Sequence, residues 1–210
     1  MSDADELAEE IARRATSTDR FIVGIGGPPA AGKSTLAEAI AARLPSGSAF
    51  VFGMDGFHYD DAMLARMRLS ARKGAPETFD FYGFEATLRR LREGGRDVAI
   101  PVFDRSLELS RAAAEIVPAS ARFVICEGNY LLLDEAPWND LSPLFDFTIF
   151  LDIEREELVQ RLVSRWMHYG REQEAARNWI ETNDMRNADR VWSRRRPAQV
   201  IRASRIATSR

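Results

Sequence analysis

The sequence predicts an α/β fold, a three-layer sandwich in which a mostly parallel sheet of five strands has helices on both faces. Short apolar segments typical of strands alternate with longer segments of helical period along the 210 residues. The predicted strands lie at 21–25, 49–53, 122–126, 147–151 and 198–201. Strands that alternate with helices form a parallel sheet, since each helix carries the chain back to the starting edge. We expect a single domain over 1–210.

The helical segments follow from the spacing of apolar residues, and they are predicted at 3–15, 35–44, 62–69, 83–93, 154–169 and 172–190. Asp152 is expected to cap the helix that begins at Glu154. Segment 98–103 is a further strand, and 114–117 is expected to pair with it as a small hairpin. The last two helices are rich in arginine, so we predict a helical lid over roughly 160–190.

The composition, with 45% hydrophobic and 29% charged residues, is that of an ordinary globular chain. A net charge of −3 argues against a broad nucleic-acid-binding surface. No apolar run reaches membrane-spanning length, and the N-terminus lacks the apolar core of a signal peptide. The single cysteine, Cys126, cannot form an internal disulfide. We therefore expect a cytoplasmic protein that binds neither nucleic acid nor membrane.

A phosphate-binding loop follows the first predicted strand, where residues 27–35 match the spacing G-x-x-x-x-G-K-[ST]. Its glycines let backbone N–H groups approach phosphate oxygens closely. Lys33 supplies a point charge for the β- and γ-phosphates, and the Ser34 hydroxyl can bind Mg²⁺. Strand, glycine loop and helix stand in the required order. The whole loop is expected to hold a nucleotide: Gly27, Pro28, Pro29, Ala30, Ala31, Gly32, Lys33, Ser34 and Thr35.

Two carboxylates follow predicted strands at the edge where α/β sheets bind ligands. Asp55 follows the strand 49–53 and is a candidate general base for an acceptor hydroxyl. Asp55 could instead form a turn with Gly56, as Asp-Gly pairs commonly do. Glu127 follows the strand 122–126 and could orient a metal-bound water or contact the acceptor. The alternative for Glu127 is a hydrogen bond to a neighbouring loop.

Arginines of the predicted lid could close over the nucleotide and stabilise the transferring phosphoryl group. Arg161 and Arg165 lie four residues apart and share a helix face, and Arg171 follows a break at Gly170. The alternative is a solvated helix face paired with nearby glutamates. Only two of the 29 basic residues are lysines, Lys33 and Lys73, so Lys73 is also a candidate functional residue.

With these segments identified, the chain resembles the P-loop kinases that include uridine kinase, phosphoribulokinase and bacterial type I pantothenate kinase. The resemblance covers about 20–202 and depends on M-D-G-F-H at 54–58, K-G-A-P-E-T-F-D at 73–80, P-V-F-D at 101–104 and C-E-G at 126–128. It implies the P-loop NTPase fold, ATP and Mg²⁺ as cofactors, Asp55 as base, and Ser34 with Glu127 at the metal. It implies an acceptor site formed by Asp55, His58, Lys73, Asp80, Asp104, Arg105 and Glu127. Catalysis would involve Lys33, Asp55, Glu127 and Arg165, and nucleotide binding Arg161, Arg165 and Arg171.

The combination of D-G-F-H with the short length is most similar to bacterial fructose transport system kinases, which implies a fructose-like sugar as acceptor. Two departures argue against other acceptors of the family. The 108–111 segment, E-L-S-R, lacks the histidine of uridine kinase, and Thr78-Phe79 replaces the Ser-Tyr of pantothenate kinase, a longer protein. A nucleoside or pantothenate is the second choice, and the resemblance implies a possible homodimer as partner. Alternatives from another class are a nucleotide-hydrolysing switch, a partner-binding NTPase and a degenerate nucleotide-binding scaffold. A GTP switch should carry the guanine motif Asn-Lys-x-Asp, which is not present.

Overall fold

The computed structural model describes residues 2–16 and 20–204. Its main sheet has five strands in the order β2–β5–β1–β6–β7, and every neighbouring pair is parallel. These strands are β1 (Phe21–Gly26), β2 (Ala49–Gly53), β5 (Phe123–Gly128), β6 (Phe147–Asp152) and β7 (Val200–Ala203). The α/β fold with a five-stranded parallel sheet is therefore confirmed.

A separate antiparallel hairpin consists of β3 (Val98–Asp104) and β4 (Leu109–Val117). The helices are α1 (Asp3–Arg14), α2 (Lys33–Ala41), α3 (Asp61–Met67), α4 (Phe81–Glu93), α5 (Arg155–His168), α6 (Gln173–Trp179) and α7 (Met185–Ser193). Short 3₁₀ turns lie at Met54–Phe57, Ser70–Arg72, Pro76–Thr78 and Trp138–Leu144. No helix among these described residues has both the length and the apolar character needed to cross a bilayer.

Alternation along the strands divides the sheet into two buried faces. Ile22, which points to one face, packs in a core with α4, the hairpin and the turn that contains Trp138. Its neighbour Val23 points to the other face and packs with α1 and α2. A third apolar cluster holds α5 and α7 against the end of β6 around Leu151. The sheet is thus covered on both faces, as the continuous apolar strands predict.

Two local predictions are wrong. The side chain of Asp152 does not cap α5, whose N-cap residue is Glu154. Asp152 Oδ1 instead accepts hydrogen bonds from the backbone N–H of Ile153 and from Trp192 Nε1. The helix predicted at 172–190 is interrupted by a π-helical turn, Ile180–Asp184, between α6 and α7. π turns have no simple apolar period, so the helical pattern of the sequence does not reveal them.

The hairpin packs against the turn that follows β2 at Gly56. A Cβ atom on Gly56 would lie 2.5 Å from the carbonyl oxygen of Pro101. Ser110 Oγ donates a hydrogen bond to the Gly56 carbonyl from the other hairpin strand. Glycine is needed here because two stretches of backbone approach each other closely. The hairpin and the residues beside Gly56 are therefore placed together at one end of the sheet.

Replacing Gly56 by alanine should lower the free energy of unfolding by about 3 kcal/mol, because a backbone atom must move to admit the methyl group. The comparison is Gly47→Ala, since a Cβ at Gly47 meets open space and carries only the strain of φ +73°. That change should lower the free energy of unfolding by about 1 kcal/mol. Urea unfolding of the two variants measures both values. Equal losses would show that the hairpin can shift away from Gly56 freely.

Candidate active site

The carboxyl ends of three neighbouring parallel strands place the polar residues of the predicted site at one edge of the sheet. In the strand register Gly53 lies opposite Glu127, and Gly26 lies opposite Gly128. The segments that follow β1, β2 and β5 therefore begin side by side. A cavity of about 850 Å³ opens there. Such a cleft beyond the carboxyl ends of the strands is the usual ligand site of open α/β sheets.

The phosphate loop forms the floor of this cavity. Gly32 is the N-cap residue of α2 with φ +92°, a left-handed conformation that glycine adopts without strain. The amino end of α2 therefore points its free N–H groups into the cavity, which suits an anion. The cavity is lined here by Pro29, Ala30, Gly32, Lys33, Ser34 and Thr35. Gly27, Pro28 and Ala31 of the predicted loop do not line it.

The Lys33 side chain is buried, with 7% of its surface exposed. Its Nζ donates to the carbonyl oxygen of Pro28 at 2.8 Å and to Asn129 Oδ1 at 2.7 Å. Burial lowers the pKa of Lys33 to about 8, although the carboxylates of Glu127 and Asp55 oppose that shift. Asn129 is a site residue that we did not single out from the sequence, although it lies only two positions after Glu127.

Ser34 and Glu127 form a pair of oxygen donors beside the loop. Ser34 Oγ donates to Glu127 Oε1 at 3.1 Å. Burial, together with the charge of Asp55, raises the pKa of Glu127 above its ordinary value, while Lys33 lowers it. No group of three or more potential metal-ligating side chains occurs in residues 2–16 and 20–204. This donor set fits Mg²⁺, which is usually held by one or two protein oxygens together with waters and substrate phosphates.

Asp55 faces the same cavity from the turn after β2, and its carboxylate is paired with the guanidinium of Arg105 from the hairpin. Burial by itself would raise the pKa of Asp55, but Arg105, and more weakly His58, Lys33 and Arg165, hold it below its ordinary value. Asp55 is therefore ionised at neutral pH. The alternative role for the Asp55 side chain, a turn with Gly56, does not account for this pairing.

The hairpin and the 54–80 segment form the remaining wall. His58 Nδ1 donates to the Asp55 carbonyl oxygen at 2.9 Å, and the imidazole ring lies 4.8 Å from the ring of Phe103. Burial lowers the pKa of His58, so the ring is neutral at pH 7. Lys73 Nζ contacts Asp61 at 2.8 Å and Glu108 at 3.3 Å. This wall thus presents both donors and acceptors of hydrogen bonds.

Residues from the end of α5 onward form a further wall of the cavity. Arg165, Trp166, Tyr169 and Arg171 all line it. The Arg171 guanidinium lies 4.6 Å from the ring centre of Trp166 and 4.7 Å from that of Trp179. Stacking of this kind fixes a flexible arginine without neutralising its charge. Two arginines of the predicted lid therefore face the phosphate loop.

Besides Gly27, Pro28 and Ala31, three residues predicted for the site do not line the cavity: Asp80, Asp104 and Arg161. Asp80 caps α4, since its Oδ1 accepts the Gly83 N–H at 2.9 Å. Asp104 accepts hydrogen bonds from Ser106 and Leu107 within the hairpin turn.

The Arg161 guanidinium contacts the main chain of the phosphate loop from outside the cavity. It donates to the Ala31 carbonyl at 3.3 Å and to Ser204 Oγ at 2.7 Å, and it pairs with Glu157. The alternative expected for the lid arginines, pairing with a nearby glutamate, is therefore found at Arg161.

The model of the family described as "Phosphoribulokinase / Uridine kinase family" matches residues 22–195. An Escherichia coli K12 protein called YggC, which is uncharacterised, is 36% identical over 186 residues, 87% of this chain and 77% of that protein. A Schizosaccharomyces pombe protein named provisionally as a uridine kinase is 31% identical over 200 residues, 89% of this chain and 84% of that protein. A pantothenate kinase of Mycobacteroides abscessus is 31% identical over 70% of this chain, but the match spans only 48% of that longer protein.

Among solved structures, one from Silicibacter sp. TM1040 is described provisionally as a fructose transport system kinase. It superposes with a TM-score of 0.90 at 37% identity and covers 96% of this chain and 100% of that one. The family resemblance derived from the sequence motifs is confirmed by these matches. The chain belongs to the phosphoribulokinase/uridine kinase family of P-loop kinases, and it is an ATP-dependent phosphotransferase.

Proposed function

We propose that this enzyme transfers the γ-phosphoryl group of ATP to a hydroxyl of a small, uncharged, hydroxyl-rich metabolite, with a fructose-like sugar as the first candidate. The observation that carries the proposal is the placement of an ionised Asp55 in the same cavity as Lys33, Ser34 and Glu127. A phosphate cradle, oxygen donors for Mg²⁺ and a carboxylate base are the parts that phosphoryl transfer to a hydroxyl requires.

On the nucleotide side, the loop N–H groups and Lys33 would hold the β- and γ-phosphates. Ser34 and Glu127 would hold Mg²⁺, which neutralises charge on the phosphate oxygens when bound. Arg165 and Arg171 would face the transferring group from the lid. Preorganised cations at this position stabilise the charge that spreads over the equatorial oxygens in the transition state.

On the acceptor side, Asp55 would accept the proton of the acceptor hydroxyl. The acceptor oxygen forms a bond to the γ-phosphorus, while the bond from that phosphorus to the bridging oxygen breaks and ADP leaves. Arg105 donates to one oxygen of the Asp55 carboxylate, Oδ2. The acceptor hydroxyl would bond to the other oxygen, or would displace Arg105 toward the ring of Phe103, over which it already lies at 4.8 Å.

The charges of the acceptor wall favour a neutral acceptor. Lys73 is paired with Asp61 and Glu108, and Arg105 is paired with Asp55. An acceptor phosphate or carboxylate that drew Arg105 away would leave the Asp55 carboxylate, whose side chain is 29% exposed, without its partner, which is unfavourable. A sugar offers hydroxyls that can bond to both members of each pair. This argument ranks pantothenate, which carries a carboxylate, below a sugar or a nucleoside.

A nucleoside is the second candidate, because a relative named provisionally as a uridine kinase matches nearly the whole chain. A nucleotide-hydrolysing switch or partner-binding NTPase is the alternative from another class, and it would need no acceptor. A homodimer and a cytoplasmic location stay predictions from the sequence.

Replacing Lys33 by alanine should weaken ATP binding about 10- to 100-fold, since a charge-assisted contact to the phosphates is lost. Isothermal titration with ATP in the presence and absence of Mg²⁺ measures this change. The control is Arg43→Ala, which removes a cation from the exposed side of the loop that follows α2, where Arg43 pairs with Asp5. Unchanged affinity in the Lys33 variant would contradict the phosphate-loop assignment.

Replacing Asp55 by asparagine should leave the dissociation constant of ATP nearly unchanged and lower kcat at least about 100-fold, because the base is lost. The matched control is Asp60→Asn. Asp60 is exposed and caps α3, and asparagine can cap equally well. The control should keep full turnover. Near-normal turnover in the Asp55 variant would remove Asp55 as the base.

An acceptor screen tests the reaction itself. ADP release from ATP and Mg²⁺ is measured with fructose and other sugars, with nucleosides, and with pantothenate. We expect one uncharged polyol to stimulate release, with the phosphorylated product visible by ³¹P NMR. Hydrolysis that no acceptor stimulates would favour the switch, and tight ATP binding without hydrolysis would favour a nucleotide-binding scaffold.

A further inference from the structure

The π-helical turn Ile180–Asp184 and the start of α7 carry three buried polar side chains, none of which has a role in the reaction described above. Asn183, Asp184 and Asn187 are 1%, 8% and 3% exposed. Asp184 and Asn187 also line the active-site cavity. Polar side chains are seldom buried without a partner or a task, and π turns are frequent at functional sites.

Asn183 fixes this turn to the acceptor wall. Its Nδ2 donates to the carbonyl oxygen of Lys73 at 2.8 Å, and Arg72 donates to its Oδ1 at 3.3 Å. The amide is thereby satisfied on both sides. These hydrogen bonds tie the turn to the segment that carries Lys73, and the neighbouring residue Asp184 is positioned with it.

The Asp184 side chain contacts α5. Its Oδ2 accepts a hydrogen bond from Trp166 Nε1 at 2.6 Å. Two cations lower the pKa of Asp184 by their charge. They are Arg165, next to Trp166 on α5, and Arg171, whose guanidinium stacks on the Trp166 ring. One carboxylate thus anchors the indole on which one lid arginine stacks and supplies the negative charge that faces both arginines.

The electrostatics of the cavity explain why a carboxylate is useful here. The charge of Arg165 lowers the pKa of Lys33, and the charge of Arg105 lowers the pKa of Arg165. Cations collected around a phosphate site repel one another before the phosphates arrive. Asp55 offsets this repulsion on the acceptor side. Asp184 is placed to offset it on the lid side.

The carboxylate destabilises the folded protein. Burial raises the pKa of Asp184 to about 6, although Trp166, Arg165, Arg171 and the Trp179 indole favour its charged form. The ordinary pKa of an aspartate is near 4. Asp184 is therefore harder to ionise in the folded than in the unfolded protein, and the penalty develops as pH rises from about 4 to about 6 and persists above. A destabilising charge in an active-site cavity is typical of a functional group.

We propose that Asp184 is a positioning residue of the phosphoryl-transfer site, whose carboxylate orients Trp166 and holds Arg165 and Arg171 at the cavity wall that faces the phosphate loop. This inference rests on the proposed function. Asp184 does not contact the reacting atoms. Asp184 acts through the two arginines, which must be held in position before the charge of the transition state develops.

The decisive variant is Asp184→Asn, because asparagine can still accept the Trp166 hydrogen bond but carries no charge. We expect kcat with the stimulating acceptor to fall about 10- to 100-fold, as misplacement of a catalytic group does. We expect the melting temperature to rise, because the buried charge is gone. The matched control is Glu181→Gln, which removes a carboxylate from the exposed side of the same turn and should leave kcat unchanged.

The pH profile gives a second readout. In the wild type, kcat should fall as pH is lowered through about 6, where Asp184 takes up a proton. Asp184→Asn should lose that limb and keep only the acid limbs of Glu127, whose pKa is also raised by burial, and of the base Asp55. Loss of both activity and thermal stability in Asp184→Asn would show a structural role only. Unchanged kcat, or a pH profile identical to that of the wild type, would also overturn the proposal.

A measurement that does not depend on turnover separates this inference from the proposed function. The ¹⁵N–¹H resonance of the Trp166 indole, assigned with Trp166→Phe, should titrate near pH 6 in the wild type and not in Asp184→Asn. Addition of ATP and Mg²⁺ should shift it in the wild type. If no acceptor stimulates ADP release but the indole resonance titrates near pH 6, the proposed function is refuted and the role of Asp184 stands. An indole signal that is independent of pH and of ATP would refute the role of Asp184.

Discussion

The parallel register of β1, β5 and β2 is the constraint on which the active site depends. Because these three strands run in the same direction and are in register, the segments that follow them open at one edge of the sheet. Ser34 and Glu127, 93 positions apart in sequence, thereby come within hydrogen-bond distance. The strands have apolar side chains on both faces of the sheet. A shift of one strand by one residue relative to its neighbour would turn all the side chains of that strand to the opposite face.

Charge is balanced locally around the cavity before any substrate binds. Asp55 is paired with Arg105, Lys73 with Asp61 and Glu108, and Asp184 faces the lid arginines. Each pair keeps a cation or a carboxylate in place without committing it to a ligand. Phosphates and hydroxyls can then exchange with these partners. Sites organised in this way need little reorganisation when the charge of the transition state develops.

The same arrangement opposes folding. Lys33 and Asp184 both have pKa values shifted by burial toward their neutral forms, to about 8 and about 6. Each shift reports charge that is less well solvated in the folded than in the unfolded chain. The two apolar layers on the sheet and the cluster under the lid helices offset this penalty. Enzymes commonly hold such locally unfavourable groups in sites that the rest of the fold stabilises.

Elements and groups that have a local signature can be identified from the amino-acid sequence. The sheet strands follow from apolar runs, the phosphate loop from its glycine spacing, and Asp55 and Glu127 from their place after strands. Local signals do not show where a side chain points. Asp80 therefore proved to be a helix cap, and Arg161 to contact the phosphate loop from outside the cavity.

Long-range packing alone placed Asn129 against Lys33 and Asp184 against Trp166 of α5. Nothing in the immediate sequence distinguishes these residues from ordinary polar positions. Their roles arise from burial and from partners that distant segments supply. Desolvation and charge pairing depend on which chain segments pack together, and the packing of a hairpin or the insertion of a π turn decides this. The sequence thus determined which groups were available, and the packing of distant segments decided which of them share a site.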